Sequence, residues 1–467
     1  MSKKKIDDDF DLKSAESNLT FALSAFLILL IPILYFTFAR HFYYLEPWID
    51  NFSYKSADGP AYSDGPAYAE LKSEKAFGIH YFGDYLVPNR WAESINPWIG
   101  EEIVTYPPVP IEIFKVFRIF PYKIGLAIYE ALLLICLVAP IAIATRKLGL
   151  RAVVISTSLL GCLAGPTIAA LDRGNIVGLL PILFFMFGYF IISGRERFAA
   201  VAVILAVSIK YFPIVLLSIF LSVKKIWIFM ATLVWSLFLT LGVTFFYPGS
   251  FVQTLKGLFL GAQPFIDGDV SRFSCFNTSY TAGMWTMLKF FGFESSANWI
   301  TKNSLIFAVG MSAIATLLIV LCKLPLWSKL VVSLSITTMI TPTVYSYSMN
   351  WVIAALGIAL LPSQKSWKKS NKTVEPEQAR ESSKPSSKPT HEYERTLKLV
   401  TLFCLVLIAV PWPIAIRQTV ELGCTTSVVG VVAFISVSLI LICNVLFSFL
   451  QRNVNSLEKN DRSNVST

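Results

Sequence analysis

The stretch "AAVAVILAVSIKYFPIVLLSIFLSVKK", Ala199 to Lys225, decides the fold. It is apolar over a length that could cross a bilayer, for which about 20 apolar residues suffice. "SIKYFP", Ser208 to Pro213, interrupts it with a lysine and a proline. Read as one span, it carries Lys224 and Lys225 to the outer side, against the rule that cations stay cytoplasmic. Two half-length legs that turn outward at Lys210 satisfy that rule better. Irregular backbone at this depth is tolerated where protein or a wet cavity covers it.

The rest of the chain fits that reading. Of its 467 residues 55% are hydrophobic and 15% charged, with a mean hydropathy of +0.61. A soluble domain is about 45–50% apolar and about a quarter charged. The expected fold is an all-α polytopic membrane protein. The net charge of +10 does not indicate a nucleic-acid partner, because the cations lie in short patches beside apolar runs, as they do when they orient spans against anionic lipid. Membrane lipids are the expected surroundings.

Lys3, Lys4, Lys5 and Lys13 precede a first span, Leu19 to Ala39, and put the amino terminus, residues 1–18, in the cytoplasm. That run is long for a signal h-region and no A-x-A site follows it, so it reads as a retained span. A polar stretch over residues 40–123 faces outward. Spans then alternate: Ile124 to Ala144 returns to Arg146, Lys147 and Arg151; Ala152 to Leu171 goes out; Ile176 to Ser193 returns to Arg195 and Arg197. After the broken segment, Ile226 to Phe246 goes out to a second outer loop, residues 247–303. Leu305 to Cys322 comes in, Leu330 to Ile340 goes out, "TPTVYSYS" (Thr341 to Ser348) turns, and Trp351 to Leu361 returns. This completes a core over residues 19–362. A Ser-, Lys- and Pro-rich linker, 363–396, lacks the apolar residues to fold and reads as disordered and cytoplasmic. A terminal hairpin over 397–450 and a cytoplasmic tail, 451–467, follow. The total is about 12 crossings at about 20 residues each, with both termini inside. The tandem "DGPAYSDGPAY", Asp58 to Tyr68, is a loop spacer whose Gly-Pro pairs read as turns.

Five of the seven cysteines, Cys136, Cys162, Cys322, Cys404 and Cys443, sit in or beside apolar runs as small hydrophobes. Cys275 and Cys424 are the two that could face outward, and whether they pair is open. No C-x-x-C pair occurs and His41, His80 and His391 are scattered, so neither a metal site nor a cofactor is expected.

The polar residues stand out against this background. "IHYFGDYLVPNRW", Ile79 to Trp91, puts Asp84 in the first outer loop. "INPW" (Ile95 to Trp98) and "TYPPVPIEIFKVFRIFP" (Thr105 to Pro121) have the aromatics and amphipathic spacing of helices lying at the interface. "LDRGN", Leu171 to Asn175, ends the third span. Its Asp172 and Arg173 either pair with each other or serve a site, and the residues alone leave both open. Ions at membrane depth are expensive, so each survivor is a functional candidate. Lys210 at the outward turn calls for an anion, and phosphate fits. "GDVSRFSCFNTSYTAGM", Gly268 to Met284, adds Asp269, Arg272 and Asn277. Asn277-Thr278-Ser279 is formally a glycosylation sequon, here read as loop chemistry. One carboxylate, several cations and many aromatics at one face suit a substrate with a phosphate, a lipid tail and a sugar. A carboxylate can take a hydroxyl proton and cations can hold a departing phosphate. A lipid monophosphate leaving group carries less charge than a nucleotide diphosphate, so no metal is called for.

These motifs, in this order, resemble glycosyltransferase family 87. "GDYLVPNRWAESINPW" and "TYPP" are similar to its first-loop signature. "DRGN", "IKYFP", "FNTS" and "TPTVYSYSMNW" stand where the family has Arg-Gly-Asn/Gln, Lys-x-x-Pro, Asn-x-Ser and Ser-Pro-x-x-Trp. The resemblance runs from Asp84 to Leu361. It implies GT-C architecture with interfacial helices in the long first extracytoplasmic loop. It also implies inverting transfer of mannose, or else arabinofuranose, from a polyprenyl-phosphate sugar donor to a glycolipid or polysaccharide acceptor outside the plasma membrane. Carried over by position, Asp84 is the general base, Lys210 and Arg173 lie near the donor phosphate, and Tyr106, Asn175, Arg272, Asn277, Tyr345 and Tyr347 contact substrate. The two tyrosines stand where the family often has a histidine. A tyrosine donates to an oxygen but titrates near pH 10, so sugar or acceptor choice can differ here. The rival reading is a secondary transporter with a broken-helix site at Lys210, and a third is a scaffold or flippase partner without catalysis.

Overall fold

The computed structural model describes residues 83–100, 104–266, 277–340, 344, 346–361, 388–409 and 428–465. The expected first span Leu19–Ala39, the DGPAY tandem, Arg272, Cys275, Tyr345 and Cys424 lie outside them, as does most of the linker. The described residues are helical almost throughout. They form α1 (Gly83–Trp91), α2 (Pro108–Phe117), α3 (Tyr122–Thr145), α4 (Leu150–Ser156), α5 (Gly165–Arg173), α6 (Leu180–Ile192), α7 (Glu196–Ile209), α8 (Ser218–Ser222) and α9 (Ile226–Thr240). After these come α10 (Phe251–Ile266), α11 (Tyr280–Phe290), α12 (Glu294–Lys302), α13 (Ser304–Leu321), α14 (Leu326–Ser335), α15 (Trp351–Leu360), α16 (Lys388–Ala409) and α17 (Val428–Val465).

A helix that is apolar all round belongs inside a bundle. In α15 every residue from Trp351 to Ala359 is buried, packed among α3, α6, α14 and α16. Its Gly357 admits this approach, since a Cβ there would lie 2.9 Å from the Pro140 carbonyl oxygen. On α9 and α13, by contrast, Val234, Trp235, Phe238, Ile306, Val309 and Leu317 are exposed, an apolar surface suited to lipid tails.

Among the described residues four helices are long and apolar enough to cross a membrane: Tyr122–Leu148, Ile226–Phe246, Ser304–Leu321 and Gly430–Gln451. Shorter apolar helices occupy Ile176–Ile192, Phe212–Ser222, Leu326–Thr338 and Ser348–Leu360. The described residues alone do not make up the expected total of about twelve crossings, of which the first, Leu19–Ala39, lies outside them. The expected span Ala152–Leu171 is not straight: a π-helical stretch, Thr157–Cys162, precedes a break before Gly165, and the two parts bend by 65°. Pro166, near the start of α5, fits a helix beginning there, where its missing N–H costs nothing.

The broken segment does turn. α7 ends at Ile209, Lys210 is extended with φ −149° and ψ 149°, and a 3-10 turn over Phe212–Leu217 restarts the helix with Pro213 near its beginning. Glu196 opens α7 and Lys225 follows α8, yet their charged groups are 3.3 Å apart. Both legs thus return to one end of the bundle, with Lys210 at the far tip.

Other differences lie in the loops. The expected second outer loop contains three helices, α10, α11 and α12, rather than open chain. The linker gives way to helix at Lys388, ahead of Leu397. α17 runs to Val465, past the expected span end at Leu450.

Candidate active site

The end of the bundle that carries Lys210 also gathers α1, α2 and the start of α6. α1 is anchored by Tyr85, which is fully buried and packs on Phe114 (5.8 Å between centroids) and Tyr129 (4.9 Å). Burial raises the Tyr85 phenol to about 12, against a smaller opposing effect from its hydrogen bond with Asn89, so it remains a neutral wedge. Arg118 just after α2 ties the other end of α1, donating to the Asn89 carbonyl at 2.8 Å and pairing with Glu93 at 2.8 Å. With Tyr85 pinned inward, its neighbour Asp84 in the first turn of α1 faces a different direction, since successive helical side chains diverge by about 100°.

Asp84 meets the "DRGN" turn there. Arg173, the last residue of α5, donates from Nε to Asp84 Oδ2 and from Nη2 to Oδ1 at 3.0 Å, a two-point fork. Asn175 Nδ2 adds a third bond to Oδ2 at 2.7 Å. The two donors straddle Gly174, which is left-handed at φ +61° and ends α5. That conformation favours glycine, and it swings Asn175 round to the same carboxylate as Arg173. Asn175 Oδ1 accepts from the Val177 N–H at 2.9 Å and so caps the 3-10 turn Ile176–Leu179. The sequence left open whether Arg173 serves a site, and the structure shows it on Asp84, 89 residues away.

Tyr106 and Lys210 complete the group. The Tyr106 hydroxyl lies 3.4 Å from Asn175 Nδ2. Lys210 Nζ sits 4.2 Å over the Tyr106 ring, a cation–π geometry, and within the electrostatic reach of Asp84. Asp84, Arg173, Asn175, Tyr106 and Lys210 are thus brought together from four separate motifs.

Tyr106 is held by residues expected at the lipid interface. Trp98 is buried and its Nε1 donates to the Tyr106 carbonyl at 3.3 Å. Asn96 Nδ2 donates to the Pro248 carbonyl at 2.9 Å and to Thr254 Oγ1 at 2.8 Å. "INPW" is therefore a clasp between the two expected outer loops, with Pro97 and Trp98 buried and Ile95 exposed. α10 lies directly on it: a Cβ on Gly257 would stand 2.0 Å from the Trp98 carbonyl oxygen, and one on Gly261 1.8 Å from that of Val104. Beside the clasp, Tyr247 donates to Glu112, which pairs with Lys115 at 2.8 Å. Burial first, then Glu112, hold the Tyr247 phenol protonated well above its usual range.

Asn277 is placed differently. It is fully buried, and its Oδ1 accepts from the backbone N–H groups of Ser279 and Val344, each at 3.0 Å. The Thr278 N–H donates to the Val344 carbonyl at 2.6 Å. This staple fixes the start of the turn whose 3-10 helix, Ser346–Asn350, packs on α5. Asn277 thus holds backbone just ahead of the turn that packs on α5. Tyr347 belongs to that 3-10 helix, while Tyr345 and Arg272 are outside the described residues.

Two residues of this region were passed over in the sequence. Tyr129 Oη donates to the Gly174 carbonyl at 3.1 Å, fixing the turn that presents Arg173 and Asn175. Glu130 is a buried carboxylate within α3, next to Tyr129 in the chain. Its signal was legible, for it is the one acidic residue of an otherwise apolar run, Ile124 to Ala144.

Residues 105–342 match the profile of glycosyltransferase family 87, about half of the 467-residue chain. No curated protein and no solved structure matches. The matched region is narrower than the expected Asp84 to Leu361: it includes Tyr106, Arg173, Asn175 and Lys210 but begins beyond Asp84, whose two partners lie within it. On this match the chain belongs to glycosyltransferase family 87 and is a membrane glycosyltransferase.

Proposed function

We propose that the protein moves one sugar, with mannose the first candidate and arabinofuranose the second, from a polyprenyl-phosphate donor to a hydroxyl of a glycolipid or polysaccharide outside the plasma membrane. The observation that carries this reading is the convergence on Asp84 of Arg173 and Asn175, with Lys210 and Tyr106 alongside. One carboxylate and two cations are what a single displacement at an anomeric carbon needs. The acceptor oxygen forms its bond to that carbon as the bond to the phosphate oxygen breaks. The electron pair leaves with the phosphate, and the hydroxyl proton passes to Asp84. Arg173 and Lys210 neutralise the departing phosphate. Attack from the face opposite the phosphate inverts the anomeric configuration.

Tyr106 supports the same reading, since a buried ring with a cation on one face can pack against a sugar and keep Lys210 oriented. Membrane preparations given polyprenyl-phosphate [14C]mannose, with polyprenyl-phosphate [14C]arabinofuranose in parallel, test the proposal. Label should pass to a lipid or glycan acceptor from one donor, with the anomer inverted, and a nucleotide sugar should not substitute when lipid-donor synthesis is blocked. Direct use of the nucleotide sugar, or retention of configuration, would overturn it.

A further inference from the structure

We propose that Arg173 is a switch between the base and the donor: in the resting site it clamps Asp84, and an incoming lipid phosphate releases the carboxylate by drawing the guanidinium to itself. This rests on the reading that the site receives a lipid phosphate. A carboxylate that accepts a two-point fork from Arg173 on both oxygens, and a further bond from Asn175 on one of them, is a poor proton acceptor. Its lone pairs are engaged and its charge is neutralised. The same pocket holds a second cation, Lys210, half-buried over the Tyr106 ring. A phosphate monoester or diester placed there competes with Asp84 for Arg173, because guanidinium forks match phosphate as well as carboxylate.

Asn175 makes the exchange directional. Its amide is fixed at one end by capping Val177 and at the other by Asp84 and Tyr106. It is neutral, so phosphate has little claim on it. When Arg173 leaves, Asn175 keeps Oδ2 in place while the fork no longer holds Oδ1. Asn175 is thus a positioning residue for the base. Transfer follows donor-first order, and an acceptor that arrives alone meets a carboxylate already occupied.

The exchange has an unusual signature in binding. If Asp84 competes with phosphate for Arg173, removing its charge strengthens phosphate binding even as it abolishes transfer. The test measures equilibrium binding of farnesyl phosphate, with farnesol as the uncharged control, to the full-length protein in detergent micelles. Wild type, Asp84→Asn, Arg173→Ala and the double variant are compared, with thermal melting to check folding and Asp84→Ser as a second carboxylate-free form. Asp84→Asn should bind farnesyl phosphate on the order of ten-fold more tightly than wild type. Arg173→Ala should bind more weakly, and adding Asp84→Asn to it should produce no further change. Farnesol binding should not distinguish the forms. Equal or weaker phosphate binding by both carboxylate-free variants would overturn the switch while leaving the donor assignment standing. Absence of phosphate-dependent binding in every form would overturn both. Tightening that persists without Arg173 would overturn the assignment to that residue, leaving plain charge repulsion by Asp84.

Discussion

Arg173, at the end of α5, bonds both carboxylate oxygens of Asp84, in the first turn of α1, across 89 residues of chain. Neither side chain is more than a quarter exposed, at 23% and 19%, so water screens the pair only partly. Geometry makes the arginine hard to replace. Lysine keeps the charge but offers a point donor in place of a planar fork. Arg173→Lys should retain expression and folding yet lower transfer by about 10- to 100-fold, each factor of ten corresponding to about 1.4 kcal/mol. Near-normal transfer by this variant would show that the fork is dispensable.

Asn175 offers a separable test because it does two jobs. Asp caps a helical turn as well as Asn does, so Asn175→Asp should keep the Ile176–Leu179 cap and shift the melting temperature little. It places a second carboxylate where a donor now stands 2.7 Å from Asp84, and like charges so close cannot both ionise freely. Transfer should fall by about 100-fold at neutral pH through loss of the ionised base. A large drop in melting temperature with unaltered transfer would reverse this assignment.

Asn277 is expected to act on stability. Replacing it with alanine leaves the buried N–H groups of Ser279 and Val344 without their acceptor, at about 1–3 kcal/mol each. Thermal melting of Asn277→Ala should fall markedly, with reduced yield. Because Asn277 is fully buried, intact mass measurement should also find no glycan on its sequon. A glycosylated, normally stable protein would contradict both points.

Gly261 tests the clasp between the first-loop residues and α10. A methyl group there meets the Val104 carbonyl oxygen at 1.8 Å, and backbone cannot give way as a side chain can. Gly261→Ala should push α10 away from Trp98 and Tyr106, opening the clasp to limited proteolysis and lowering transfer. Gly310 meets nothing within 4 Å, so Gly310→Ala is the control and should behave as wild type. Equal proteolysis of both variants would exclude a structural role for this contact.

The site was legible in the sequence because polar residues are costly in an apolar chain. Asp84, Arg173 and Lys210 stood out as charges, Asn175 and Tyr106 were named only through the family resemblance, and the structure brings all five together. The turn at Lys210 followed from where Lys224 and Lys225 had to lie. The bond between Arg173 and Asp84 was not legible, since the two are neighbours only after α1 docks on Tyr129. Nor was the bend between α4 and α5, because hydropathy measures length and apolarity but not backbone direction. "INPW" has interfacial composition, but burial of Trp98 depends on α10, a helix read as loop. Asn277 marked a polar position correctly, while its bonds to backbone were beyond what spacing can tell.

The central claim is that the Asp84 carboxylate takes the acceptor proton. It is tested most directly by single-turnover transfer from a preloaded radiolabelled polyprenyl-phosphate sugar in membranes containing equal amounts of wild type, Asp84→Asn or Asp84→Glu. The asparagine variant should bind donor yet lose transfer by at least about 1,000-fold, within the range of 10²–10⁴ that general-base catalysis contributes, and the glutamate variant should recover part of it. Transfer by Asp84→Asn at the wild-type rate, with donor bound and protein folded, would contradict the account.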